Sequence, residues 1–203
     1  SKEDLTKDSV AQIVKDKALP GKFYTDKVPY GYNYYDQNSI VTDLGPGASM
    51  HGMHVAGITA ANGDEANGGI KGVAPEAQVL AMKVFSNDPS YPSTWSDIYL
   101  AAIDDSIKLG ADVLNMSLGS VASSYEPNSA EDLAITRAVD NGIVCAVSSG
   151  NSNHIGDGWG DPLSQNPDIG VTGSPGLNKD TISVAASGNE AYLFEHAITV
   201  DGN

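Results

Sequence analysis

The segment His51-Gly52-Met53-His54-Val55-Ala56-Gly57-Ile58 sets an imidazole at the head of a small, apolar stretch with helical spacing. Imidazole exchanges its proton nearest neutrality, so its natural work on a rigid element is to take and return a proton. Gly52, Ala56 and Gly57 are small enough for such a helix to approach a sheet closely, and a bulky residue among them would displace the ring. Zinc binding is the weaker reading. His51 and His54 lack the Glu and the spacing of His-Glu-x-x-His, and no Cys or His cluster offers a third ligand. His154 and His196 read as surface-loop residues.

Two further polar segments stand where chemistry is usually assembled. Ser148-Ser149-Gly150-Asn151 follows the apolar run Ile143 to Val147, and Asn115-Met116-Ser117-Leu118-Gly119 closes the run Ala111 to Met116. Both runs have the length and the β-prone character of buried strands. Open α/β sheets carry their sites at strand carboxyl ends, so the two segments are expected to border one cleft. Asn115-Met116-Ser117 also spells a glycosylation sequon, which burial of the strand end would close to modification.

Helices must alternate with these strands to hold them parallel. Trp95 to Leu109 has apolar residues at Ile98, Ala101, Ala102 and Ile107, an acid early, and Lys108-Leu109-Gly110 at its end, which is the polarity and the stop of a helix. Ser129 caps a second helix running to about Asp140, with Asn141-Gly142 as its stop. A helix from His51 to Ala61 leads to a strand from Val79 to Val84, and Thr181 to Ala186 adds another strand. This alternation predicts an α/β fold with a mostly parallel sheet and helices on both faces. Residues 1–50 are polar and Tyr-rich, punctuated by Pro20, Pro29 and Pro46 with a charged helix over roughly residues 2–16, and read as a surface lead-in. Asn62 to Lys71 and Ser152 to Gly176 are long Gly/Asn/Asp/Pro-rich connections of the kind that often carry function.

Composition narrows the class. A chain of 203 residues can bury a sizeable core and fits one large domain. A formal charge of −15 repels phosphate backbones and anionic headgroups, which argues against nucleic-acid and membrane-surface partners. With 18% charged residues and 22 glycines the chain is packed and turn-rich rather than an acidic disordered tail. The single cysteine, Cys145, lies inside an apolar run where a thiol acts as a small buried hydrophobe, so no intrachain disulfide forms. One cysteine does not decide the compartment. No apolar stretch approaches membrane-spanning length, and Ser1-Lys2-Glu3-Asp4 lacks the hydrophobic core of a signal peptide.

The histidine segment, together with Ser117-Leu118-Gly119 and Ser148-Ser149-Gly150-Asn151, resembles the corresponding motifs of the subtilisin-like serine proteases, the subtilases. Lys27-Val28-Pro29-Tyr30-Gly31-Tyr32-Asn33-Tyr34, Met53 within the histidine motif, and Leu80-Ala81-Met82-Lys83-Val84-Phe85 are similar to Gram-positive cell-envelope proteinases such as lactocepin and to the streptococcal complement-cleaving peptidases. Gly173-Ser174-Pro175-Gly176 and Thr181 to Ser187 continue that match. The resemblance implies a partial subtilisin-like three-layer domain. It implies His51 as general base, Asn151 as an oxyanion donor, Ser117, Leu118 and Gly119 as a substrate edge that pairs with an extended peptide, and Ser149 and Gly150 beside the substrate. Residues 1–203 then form one incomplete catalytic domain: a lead-in over 1–50, an α/β core over 51–187, and an approach over 188–203 to a protease-associated domain that relatives insert there.

Neither the family's Gly-Thr-Ser-Met-Ala nucleophile motif nor its aspartate motif occurs in the chain, and Asp26, Asp36 and Asp43 have no matching context. A base and one oxyanion donor cannot by themselves form an acyl-enzyme, so the isolated chain is expected to hydrolyse nothing. The expected function is a fragment of a secreted serine endopeptidase, extracellular and cell-envelope associated; a catalytically dead binding or scaffolding module is the alternative. A nucleotide-binding domain is disfavoured because no Gly-x-Gly-x-x-Gly or Gly-x-x-x-x-Gly-Lys-Ser/Thr sequence is present. Expected partners are a protein or peptide substrate and the rest of the parent chain, with no membrane insertion, and dimerisation through an uncovered sheet edge remains open. No cofactor is required. Structural calcium, which many relatives hold in the segment around Gly69 to Ala77, would draw on Asn62, Asp64, Glu65 and Asn67, although a polar surface loop of Gly, Asn and Asp is the more common explanation.

Overall fold

The computed structural model describes residues 4–45, 47–120, 123–151 and 172–186. The expected approach over 188–203, His154 and His196 lie outside the described residues.

The first helix, α1 (Lys7–Lys17), starts where Thr6 and Ser9 satisfy each other's backbone: the Thr6 hydroxyl accepts from the Ser9 N–H at 3.2 Å and the Ser9 hydroxyl from the Thr6 N–H at 2.8 Å. It begins several residues later than the charge pattern suggests, because the cap decides the start. Val10 of α1 is buried with Leu19, Tyr30 and Leu109, and Leu80 and Met82 pack against them. Strand β1 (Tyr30–Asn33) runs parallel to β2 (Leu80–Lys83), with Tyr30 beside Leu80 and Asn33 beside Lys83. Helix α2 (His51–Ala60) lies between them in sequence.

The surface reading of the Tyr-rich segment is therefore corrected. Tyr30 is fully buried and its phenol accepts from the Gly21 N–H at 3.0 Å, so a residue that looks polar fills a core position with its ring while its oxygen finds a backbone partner.

Beyond β2 the pattern follows the sequence closely. Helix α3 (Ser96–Leu109) stops at Gly110, which takes the left-handed conformation. Strand β3 (Val113–Met116) follows, then α4 (Ala130–Asp140), whose Ser129 hydroxyl accepts from the Asp132 N–H. Strands β4 (Val144–Ser148) and β5 (Ile182–Val184) complete a parallel sheet in the order β3–β4–β5. Its core packs Met116, Cys145 and Val147 against Ile103 of α3 and Ala134, Ile135 and Ala138 of α4. Fully burying a side chain such as Ile135 or Val147 is worth about 1.5–3 kcal/mol, so this layer is the main anchor of the strand ends.

The described helices cover only one face of that sheet. Val113, Val144, Ile182 and Val184 point to the other face and are all about half exposed or more. The parallel α/β architecture stands as expected, but two of its three layers are formed among the described residues. Asn115 is exposed as well, so burial does not close the sequon. Helix α2 is likewise open over most of its surface, and a Cβ added at Gly52 or Gly57 would meet nothing within 4 Å. The expected close approach of these glycines to a sheet is thus not made among the described residues, since no layer lies over them.

Candidate active site

Helix α2 is held from its carboxyl end. The N–H groups of Gly72, Val73 and Ala74 donate to the carbonyls of Ala61 (2.8 Å), Ile58 (2.9 Å) and Thr59 (2.8 Å), acceptors that the end of a helix leaves without internal partners. The segment that connects α2 to β2 therefore doubles as its clamp. His51 is the first residue of the helix, Met50 before it offers no side-chain cap, and the ring is exposed.

The strand ends come together through register. Met116 of β3 pairs with Val147 of β4, so Ser117 leaves β3 beside Ser148, the last residue of β4. The Ser148 hydroxyl then donates to the Leu118 carbonyl at 3.4 Å, and Leu118 packs on the main core. The two segments thus lie side by side at the strand carboxyl ends. His51 reaches the same place: its Nε2 lies 3.2 Å from the Ser117 hydroxyl.

Asn151 follows Gly150 at the exposed carboxyl end of β4. Gly150 has φ of +100°, a conformation that a side chain resists, so a glycine is what allows the chain to turn away from the strand and present the asparagine. Behind it, the Ser149 N–H donates to the Val184 carbonyl at 2.8 Å and the Ser149 and Ser183 hydroxyls meet at 2.8 Å, tying the turn to β5.

The supporting contacts of four residues, Tyr99, Ser120, Glu131 and Ser174, were not found by sequence reasoning. The Ser120 N–H donates to the Ser174 carbonyl at 2.9 Å, making an antiparallel bridge at the far end of the 117–119 segment. The Ser174 hydroxyl and the Tyr99 phenol both donate to the Glu131 carboxylate, which pins that bridge to α4. Burial and the neighbouring Glu131 hold the Tyr99 phenol above its ordinary range, so it stays a donor. No spacing in the sequence signals this set, because its members are scattered from Tyr99 to Ser174.

The 62–71 loop turns its acids on itself. The Asp64 carboxylate accepts from the Ala66 N–H at 3.1 Å and from the Asn67 amide at 2.5 Å, while Glu65 lies 4.0 Å from the Lys71 ammonium. Among the described residues no group of three or more His, Cys, Asp or Glu side chains is placed to hold a metal ion. Of the residues considered for calcium, Asn62, Asp64 and Glu65 line one open hollow together with Lys71. No described helix is long and apolar enough to cross a membrane.

An exposed imidazole lies within reach of a serine at the end of one strand, and an asparagine follows a glycine turn at the end of the neighbouring strand. The model of the Peptidase S8 Subtilase family matches residues 13–196. The chain belongs to the subtilase family. It is 40% identical over 203 residues to a PII-type proteinase of Lacticaseibacillus paracasei, covering 98% of this chain and 11% of that protein. It is 32% identical over 203 residues to a C5a peptidase of Streptococcus pyogenes, covering 97% of this chain and 16% of that one. Among solved structures, Sphericase superposes with a TM-score of 0.50 and 35% identity, over 67% of this chain and 39% of that one. This subtilase chain thus spans only about a tenth to a sixth of the length of those curated relatives.

Proposed function

We propose that the full-length protein is a secreted, cell-envelope-associated serine endopeptidase acting on proteins or peptides. The carrying observation is that the His51 imidazole reaches the end of β3 at 3.2 Å, at the edge where an extended peptide would pair. The homologous proteinase and C5a peptidase support a peptidase reading.

In this reading His51 takes the proton of a serine nucleophile supplied by the rest of the protein and returns it to the leaving amine. Ser117, Leu118 and Gly119 align the substrate main chain, and Ser149 and Gly150 flank it. Asn151 donates to the oxyanion that develops in the transition state. The protein's other partners are the remaining parts of its own chain, including a protease-associated domain. The isolated chain has no means of forming an acyl-enzyme.

A fluorophosphonate probe tests this. The full-length protein should label, His51→Ala should lose the labelling, and the isolated chain should stay dark. A folded full-length protein that ignores the probe would make the module a binding pseudoprotease, and labelling that survives His51→Ala would remove the imidazole from the mechanism.

A further inference from the structure

Gly72, Val73 and Ala74 grip helix α2 at its carboxyl end, but His51 stands at the other end. There Met50 makes no side-chain cap and Gly52 has open space around it. A carboxylate reaches that end from outside the helix. Asp43 accepts from the Ser49 N–H at 3.2 Å, two residues ahead of His51, and the Ala48 N–H donates to the Gly45 carbonyl at 3.0 Å, tightening the turn between them. Negative charge at this place also suits the partial positive charge of a helix start. Asp43 is itself anchored. Lys83, the last residue of β2, is half-buried, and its ammonium is attracted to both the Asp43 and the Asp36 carboxylates. Asp36 in turn accepts from the Asn33 amide at 2.8 Å, the Ser86 hydroxyl at 2.7 Å and the Asn87 N–H at 2.8 Å, and the Asn87 amide donates to the Thr42 carbonyl at 3.0 Å. The carboxyl ends of β1 and β2 thereby hold Thr42 and Asp43 in place.

We infer that Asp43 is a positioning residue for His51, setting where α2 begins relative to the ends of β1 and β2. A rigid helix attached at one end has its direction fixed only by a second attachment. A helix of this length is about 15 Å long, so a tilt of about 5° at the 72–74 clamp would carry its first residue about 1 Å. The bond from the Ser49 N–H to Asp43 supplies the second attachment at the end where the base stands. It engages the backbone ahead of the helix and leaves both ring nitrogens of His51 to the proton-transfer steps. No bond to Asp43 forms or breaks, and its part in the chemistry is geometric.

This inference rests on the protease reading, and the experiment separates the two. Steady-state kinetics of the full-length protein on a chromogenic peptide amide would compare wild type, Asp43→Ala, Asp43→Asn and His51→Ala. Thermal midpoints and amide hydrogen exchange at the amino end of α2 would be measured on the same proteins. Asp43→Ala is expected to lower kcat about tenfold with KM held within about twofold, as a small displacement of a general base does. Exchange at the amino end of α2 should quicken about tenfold in the same variant. Asp43→Asn, whose side-chain carbonyl still accepts from the Ser49 N–H, should recover most of both. A kcat unchanged in Asp43→Ala, a loss confined to KM, or unchanged exchange overturns the positioning role. An asparagine variant as slow as the alanine one overturns it too, and a collapsed thermal midpoint in Asp43→Ala makes Asp43 a residue of folding instead. Each of those results leaves the protease reading standing. Activity that survives His51→Ala overturns the proton-transfer reading and this inference together.

Discussion

The Tyr34 phenol donates to the Asp105 carboxylate at 2.9 Å, fastening the chain just past β1 to the buried side of α3. Lys108, a turn further along α3, reaches the other carboxylate oxygen at 2.7 Å. Burial first, and then Tyr30 and Asp105, hold the Tyr34 phenol above its ordinary range, so it remains a donor even in alkaline solution. Tyr34→Phe should destabilise the chain by about 1–3 kcal/mol by leaving a buried carboxylate oxygen short of a partner. Urea unfolding measures this, and a midpoint equal to wild type would mean that the carboxylate is satisfied without the phenol.

Asp132 gives the acid side of the stability profile. Its carboxylate accepts from the Asn128 N–H at 2.8 Å, the Tyr125 phenol at 2.9 Å and the Asn178 amide at 2.9 Å, joining the start of α4 to two loops. The Asn128 N–H above all, with the phenol and the amide, holds its pKa below the ordinary carboxylate value against the opposing push of burial. A lowered folded value means that the stability from this group is complete above the ordinary Asp pKa, near 3.8, and is lost as pH falls through the lower folded value. Asp132→Asn should therefore unfold more easily than wild type at neutral pH, with the gap between the two midpoints closing in acid. A gap independent of pH would assign the effect to shape rather than charge.

Gly173 is the tightest backbone approach near the cleft. A Cβ there would fall 2.0 Å from the Ser120 carbonyl oxygen, which cannot swing aside because the Ser120 N–H is bonded to Ser174. Gly173→Ala should cost about 1–3 kcal/mol of stability. In the full-length protein it should also raise KM, since Ser120 continues the 117–119 edge. Differential scanning calorimetry and peptide kinetics check the two effects, and an alanine variant that melts like wild type would show that the bridge has room to open.

Asn151→Ala in the full-length protein should lower kcat about 10²–10³-fold with little change in KM, as removal of a donor used only in the transition state would. That range was measured on a subtilisin and is carried over to this subtilase. A variant that loses only KM would place Asn151 in ground-state binding instead.

Local chemistry wrote much of this fold into the sequence. The Ser129 cap, the Gly110 stop and the apolar face of α3 are decided within a turn or two of the chain, so α3 and α4 lie within a residue or two of where the pattern puts them. The short apolar runs became β3, β4 and β5 for the same reason, and His51 heads its helix as the motif required. The histidine and asparagine segments also carried enough specific identity to reveal the family.

Burial was another matter, because it depends on what covers a residue rather than on the residue. Tyr30 reads as polar and is fully buried once Val10, Leu19 and Leu109 surround it. Val113 and Val144 read as doubly buried and are open, since the described helices cover a single sheet face. The meeting of Ser117 with His51 joins residues 66 positions apart. No periodicity spans that distance; parallel register between β3 and β4 and the clamp at the far end of α2 bring them together, and both are long-range packing decisions that only the tertiary structure makes.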